Sequence, residues 1–194
     1  MKPEGTAPTG VGASVRRRED LRLLRGRGSY SDDVNLPGQL HAAMVRAPHA
    51  HARILSIDIS DAGSAPGVIA VLTGADYVAD GAGDIGHVAN PADAEEWQKP
   101  AFVNRDGAAP FDEAQPPILR DKVRHAGEIV AVVIAGDAAA ARDAAERVTV
   151  EYEPLAVVTD ALAALAPDAP VLWDGCPGNL ALDTDMGDAA ATEA

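Results

Sequence analysis

The chain is nearly without cysteine: Cys176 is the only one in 194 residues. That excludes an internal disulfide and any cysteine-ligated zinc or iron–sulfur centre held by this chain alone. Aromatic residues make up 4% of the sequence, so the core has to be built from Ala, Val, Leu and Ile. Positive charge is scarce as well, with 16 Lys and Arg against 30 Asp and Glu and a net charge of −14. A surface of that sign repels phosphate backbones and argues against nucleic acid as a partner. Long apolar runs are missing. The best, Ile129 to Ala135, has the length of a buried strand and falls far short of the roughly 20 residues that cross a bilayer. The opening "MKPEGTAPTG" has no apolar segment behind a basic cluster. The chain therefore reads as cytoplasmic, without a membrane span.

What is present suits one domain with tails. The sequence is 47% hydrophobic and carries 18 Gly and 14 Pro, enough apolar surface for a core and many turns. Residues 1–28 read as an arm. Its first 13 residues are short on large apolar groups, rich in Gly, Pro and Thr, and read as disordered. It then carries Arg16, Arg17, Arg18, Arg22, Arg25 and Arg27. In so acidic a protein these fit docking on an acidic partner, or on the chain's own acidic body.

From Leu36 the pattern turns to strands. "QLHAAMVRA" reads as a strand entered through Pro37-Gly38, and in "ILSIDIS" Leu55, Ile57 and Ile59 alternate with polar residues. "DAGSA" reads as a short helix before a Pro66-Gly67 turn, and "VIAVLTG" as another strand. Residues 74–117, rich in Gly, Pro, Ala and Asp, read as a long irregular excursion of the kind that serves as functional surface. "EIVAVVIA" is continuously apolar, as a strand covered on both faces requires. Gly136-Asp137 offers a turn and N-cap. A helix follows with Ala138, Ala141, Ala145 and Val148 on its inner stripe, and then the half-wet strand "VTVEYEP". The three together read as a small β-α-β unit whose Ala-rich helix approaches its sheet closely. After Thr159 the pattern gives one short helix and a Pro-rich linker.

The residues that bear chemistry are few. "RAPHAHAR" places His49 and His51 two apart, flanked by Arg46 and Arg53; on an extended segment both rings share a face. Two imidazoles can begin a metal site or serve as acid and base. A metal site, however, needs three or four ligands within reach. The other candidates are Asp58 on the next strand, His41 upstream, and His87 and His125 farther off, at no zinc or iron spacing. Ordinary interface histidines account for the segment better. "GAGDIG" has the form G-x-G-x-x-G but leads to Pro91 instead of a helix, and "GRGSY" opens none either, so neither cradles phosphate. Cys176 has no neighbouring His in the sequence. His125 and Glu128 can pair as acid and base, although a hydrogen bond at a strand entrance explains them more simply. No catalytic, cofactor-binding or metal-ligating residue is assigned.

Taken together, the segments resemble the start of the large subunit of molybdenum hydroxylases, the xanthine dehydrogenase/aldehyde oxidase family, in its carbon monoxide dehydrogenase-like branch. The leader carries Arg17, Arg18, Glu19 and Asp20, then Gly26, Gly28 and Tyr30, then Asp32, Asp33, Leu36, Pro37 and Gly38. "VRAPHAHARI", "PGVIAVLTGADY", "DKVRHAGEIVAVVIA", "AARDAAERVTVEYEPLAVVTD" and a closing "NL…GD" follow in order, so the resemblance spans 11–188.

It implies an α/β hammerhead, a small mixed sheet with packed helices, over 29–160. Residues 161–194 would then be a linker toward a molybdenum-cofactor-binding domain. Arg46, His49, His51 and Arg53 become scaffolding that positions the domain against its neighbours. The complete enzyme would oxidise or hydroxylate a small molecule such as an aldehyde, an N-heterocycle or CO. Its molybdopterin would sit on a partner domain or subunit, with 2Fe-2S clusters and FAD on others, and no cofactor on this chain alone. "GDAAATEA" reads as a helix beginning where the sequence stops, which suggests a fragment or split product. Residues beyond about 165 packed on 30–160 would count against that suggestion. The alternative is a stand-alone assembly or interaction module that has lost catalysis.

Overall fold

The computed structural model describes residues 17–86 and 103–185, together with Val11 and Ala191, and the chain divides into two compact units, 1–39 and 40–194. In the first, α1 (Asp20–Leu24) ends where Gly26, at φ +65, lets the chain turn left-handed. Gly26 N then bonds Leu23 O and Arg27 N bonds Arg22 O, both at 3.0 Å, the paired closure of a Schellman cap. Asp33 Oδ2 accepts from Tyr30 N at 2.9 Å and pins a turn of 3₁₀ helix over Ser31–Asp33. No residue of these two elements is buried. Apart from Val11, the first 13 residues lie outside the described residues.

The second unit runs β1 (His41–Arg46), β2 (Ala52–Asp58), α2 (Ser60–Gly63), β3 (Val68–Thr73), α3 (Gly74–Ala79), β4 (Lys122–Val123), β5 (Ile129–Ala135), α4 (Ala138–Ala145) and β6 (Thr149–Pro154). The strands form two three-stranded sheets in the orders β1-β5-β3 and β4-β2-β6. The α/β hammerhead class expected from the sequence holds. The single mixed sheet is replaced by two, in which every ladder is antiparallel. The expected β-α-β order is present as well, but α4 carries the chain from one sheet to the other, because β6 pairs with β2 and not with β5. The alternation of Thr149, Glu151 and Glu153 with Val150 and Tyr152 explains this. Such a strand has one wet face and suits an antiparallel edge, not a doubly covered parallel sheet.

Central β5 is apolar throughout because both its flanks are strands and one face is roofed by α4, which also packs on β1. Ala131, Val133 and Ala135 are fully buried on the roofed face, and Ala141 and Ala144 are the deepest residues of α4. Ala138, Ala145 and Val148 are half-buried, so the stripe is centred one position away from the expected one. The close approach is real: a Cβ on Gly67 would meet Ala140 Cβ at 3.2 Å. Asp137 caps α4 through Oδ1, which accepts from Ala140 N at 2.8 Å.

Two local expectations are corrected. In β2 the register shifts between Ile54 and Ser56. That bulge turns Leu55 outward to 62% exposure and leaves Ala52, Ile54 and Ile57 facing in. The excursion from residue 74 opens with α3. There Thr73 Oγ1 accepts from Asp76 N, and Asp76 Oδ2 accepts from Thr73 N at 2.8 Å and from Thr73 Oγ1 at 2.6 Å, a capping box with Asp in the Glu position. Residues 87–102 lie outside the described residues.

The main core lies where the two sheets meet. Ala47, Ala52, Leu119, Val123 and Val130 are buried there, with Val45, Ile54, Ile57, Val150 and Tyr152 packed around them. Residues 171–185 fold back onto 103–124. Phe111 N donates to Ala181 O at 2.9 Å, Arg105 N to Asp183 O at 2.8 Å, and Asp183 N to Asn104 Oδ1 at 2.9 Å. Asn179, left-handed at φ 54, accepts from Leu172 N and donates to Ala164 O and Pro170 O at 2.9–3.0 Å. The described part of 161–194 is thus seated on the unit and does not extend away from it.

Candidate functional site

The RAPHAHAR segment is not extended. Residues 47–51 form the bend between β1 and β2, so the two rings part company. His51 is 5% exposed; its Nδ1 donates to Ala156 O at 2.7 Å, and its carbonyl accepts from Leu155 N at 3.0 Å. Both bonds fasten the segment that leaves β6. Because a carbonyl can only accept, Nδ1 carries the proton, and Nε2 is enclosed with no hydrogen-bond partner among the described residues. His49 meets Tyr152 in a tilted ring contact with centroids 4.8 Å apart, and burial raises the Tyr152 pKa above its ordinary 10.0. Arg46 donates to Gly127 O at 2.7 Å, and Arg53 pairs with Glu153 across the β2–β6 ladder at 3.5 Å. Each polar side chain of the motif ties one strand end to another.

The remaining candidates disperse. His41 opens β1. Asp58 Oδ1 accepts from Ser60 N at 2.9 Å, and bonds from the Ser60 backbone and hydroxyl hold its pKa below the usual 3.8. Glu128 accepts from the backbone N–H of both Arg124 and His125 and lies 3.6 Å from His125 Nδ1; it braces a turn. In GAGDIG, Gly81 closes α3 at φ +77, Asp84 pairs with Arg120, and Ile85 bridges to Gln115. No phosphate cradle forms. His87 lies outside the described residues. Among the described residues, no three of His, Cys, Asp and Glu gather into a metal-ligating group.

The folded-back tail helps to wall a hollow on the second unit. A cavity of about 160 Å³ is lined by Phe111, Glu113, Leu172, Trp173, Cys176 and Asn179, among others. Phe111 and Trp173 stand tilted with centroids 6.1 Å apart, and the Arg124 guanidinium lies 3.8 Å above the Trp173 ring. Next to it, Lys122 is nearly buried and its Nζ reaches Asp174 at 2.8 Å. Lys122 first, then Arg124 and Arg53, hold the Asp174 pKa below 3.8. Sequence reasoning missed this cluster, because its members come from residues 53, 111–124 and 171–181 and no local spacing links them. Its contacts are adhesive: tilted rings, a guanidinium over an indole, a charge pair and an Asn bonded to the backbone.

The comparisons agree with this architecture. The family model described as "Aldehyde oxidase and xanthine dehydrogenase, a/b hammerhead domain" matches residues 25–99 and 97–156. The carbon monoxide dehydrogenase large chain of Afipia carboxidovorans is 41% identical over 163 residues, covering 84% of this chain and 17% of that protein. The xanthine dehydrogenase molybdenum-binding subunit of Escherichia coli O157:H7 is 34% identical over 170 residues, covering 88% and 20%. Among solved structures, quinoline 2-oxidoreductase from Pseudomonas putida 86 superposes with a TM-score of 0.63 at 45% identity, covering 80% of this chain and 18% of that one. The chain spans about a fifth of the length of the relatives it matches.

Proposed function

The chain belongs to the aldehyde oxidase and xanthine dehydrogenase a/b hammerhead family, and on that premise we propose that it works as the hammerhead portion of a molybdenum hydroxylase, structural and not catalytic by itself. The whole enzyme oxidises or hydroxylates a small molecule, an aldehyde, an N-heterocycle or CO. Molybdopterin sits on a larger partner domain or subunit, 2Fe-2S clusters and FAD serve as electron carriers on others, and the assembly works in the cytoplasm. One observation carries this reading: the family match runs through the whole strand-helix framework, yet the chain spans only 17% of the Afipia relative.

The side chains described above do not fit a molybdenum centre. They gather no metal-ligating group, and Cys176 faces a cavity walled by Phe111 and Trp173. The chain's own residues hold two sheets and a docked tail in fixed relation.

The test is to tag the chain in its native host, isolate it gently, and measure molybdenum, iron, flavin and substrate oxidation in the eluate. Recovery with a molybdenum-containing polypeptide, with no oxidation by the purified chain alone, is the expected result. Substrate oxidation by the pure chain would overturn it. A second reading, a stand-alone assembly or interaction module, draws support from the packing of 171–185 on 103–124. It predicts recovery with a defined partner but no molybdenum.

A further inference from the structure

The sheet β1-β5-β3 has two unlike faces. Residues directly opposite in an antiparallel ladder point the same way, so the pairings sort the side chains. Ala43 with Val133, and Val133 with Val71, lie on the face roofed by α4. Ala42 with Ile134, Met44 with Val132, Ala70 with Ile134 and Leu72 with Val132 lie on the other. That second face carries six apolar side chains, and its one charge, Arg46 opposite Ile129, stands at the end of β1. Its edge strand is open, with Ala42 exposed and Met44 46% exposed. Ile69, pushed out of the β3 ladder by a register shift between Val68 and Ala70, is 64% exposed beside it. A half-solvated antiparallel sheet normally alternates apolar-in with polar-out. Here both faces of the sheet are apolar, and the described helices of this unit cover one.

What covers the other follows from area and charge. Three strands about 4.8 Å apart and six residues rising about 3.4 Å each make a face of roughly 300 Å². A stable symmetric dimer needs about 800 Å² from each partner. Two copies would also bring together surfaces of like sign, since each chain carries a net charge of −14 and residues 40–194 hold nine Lys and Arg against twenty-five Asp and Glu. A second copy is therefore a poor occupant. A larger polypeptide that meets this face as one part of a wider contact, apolar at its centre and basic at its rim, fits both constraints.

We infer that the open face of β1-β5-β3, centred on Met44, Leu72, Val132 and Ile134 and extended by Ile69, is where this chain docks the larger molybdenum-binding polypeptide of the enzyme. The inference rests on the function proposed above and adds to it the surface and the chemistry of the partner. Met44 and Ile69 are exposed, so a charge at either position leaves the fold intact while placing an unpaired carboxylate in the contact.

The experiment uses the full tagged chain in its native host with Met44→Glu, Ile69→Glu and, as control, Leu55→Glu on the outer side of β2. Each eluate is analysed for molybdenum and for the co-purifying polypeptide, and the thermal midpoint of each isolated chain is recorded as a check on folding. The expected result is that wild type and Leu55→Glu recover the molybdenum polypeptide, while Met44→Glu and Ile69→Glu recover at least tenfold less with unchanged midpoints. Recovery by wild type should also fall as salt rises from about 0.1 to 1 M, where screening shortens from about 10 to 3 Å; recovery indifferent to salt overturns the basic rim. If all four chains recover the polypeptide equally, the face is wrong and the proposed function stands. If wild type recovers no molybdenum polypeptide, the function and the face fall together. If wild type is a dimer that Met44→Glu dissolves, the occupant is a second copy and the inference is overturned.

Discussion

Gly74 offers the sharpest test of the packing. It opens α3 immediately after the Thr73 cap, and the chain at Ile118 and Leu119 runs across it. A Cβ built there would stand 2.8 Å from Ile118 O and from the Leu119 carbonyl carbon, and closer still to Leu119 O. All three are backbone atoms, so no side chain can swing away. Leu119 is 2% exposed, belongs to the main core, and donates its N–H to Ile129 O at 2.8 Å. Relief therefore moves 118–119 away from β5 and strains that bond.

Overpacking of this kind costs about 1–3 kcal/mol, and weakening the hydrogen bond adds about 1 kcal/mol. The lower unfolded-state entropy of Ala returns about 0.4–1 kcal/mol. The net loss for Gly74→Ala is about 1–3.6 kcal/mol. In a chain of this length that lowers the thermal midpoint by about 2–14 °C. Gly63, at the end of α2, is the control: its added Cβ meets nothing within 4 Å and its φ is not left-handed. Gly63→Ala should leave the midpoint unchanged or slightly raised. Circular dichroism melts of the three proteins side by side decide the matter. A Gly74→Ala midpoint within about 1 °C of wild type, on the same scale, would refute the close crossing of 118–119 over α3.

Other consequences follow from the same contacts. Thr73→Ala removes the α3 cap and should cost about 1 kcal/mol by urea unfolding. Bonds from Thr73 hold the Asp76 pKa below 3.8, so its contribution is full above the unfolded value and is lost as pH falls through the folded one; Asp76→Asn should flatten that part of the acid limb. His51→Ala strands Ala156 O and empties a buried site, and should cost about 2–4 kcal/mol, whereas His49→Ala loses only a ring contact worth about 0.5–1.5 kcal/mol. Substrate oxidation abolished by His49→Ala in an intact assembly would overturn the scaffolding role. Trp173→Ala removes the platform under Arg124 and should expose 171–185 to limited proteolysis while 41–154 stays protected; unchanged cleavage would mean that the tail is held by its hydrogen bonds alone.

The elements legible in the sequence are those whose signals are local. β5 showed in an unbroken apolar run, α4 in its Asp137 cap and Ala spacing, and β6 in strict alternation; β5 and β6 stand within a residue of their expected places, while α4 ends at Ala145, three residues short of Val148. α3 was legible too, in the Thr73-x-x-Asp76 box, but the Gly and Pro content around it masked the signal. Where reasoning failed, the deciding interaction was distant in sequence. The bulge at Leu55 is set by pairing with β6, nearly a hundred residues on. The assignment of β5 and β6 to different sheets depends on which partner each strand's far edge meets, and periodicity does not encode that.

The two histidines show why a motif that looks reactive can be inert. Reactivity requires an imidazole with a free nitrogen facing solvent or a second titratable group. His51 has spent Nδ1 on Ala156 O, and its Nε2 is shut inside the protein. His49 has turned its ring onto Tyr152. Arg46 and Arg53 are bound to Gly127 O and Glu153. Four polar residues in eight positions therefore serve to stitch β1, β2, the 124–128 turn and the exit of β6 together without a disulfide, in a chain with a single cysteine. The same economy shapes the tail cluster, where Asn179 ties the tail to itself at Ala164, Pro170 and Leu172 while Trp173 and Asp174 anchor it to Arg124 and to Lys122 of β4. These ties leave the apolar face of β1-β5-β3 free for the docking proposed above.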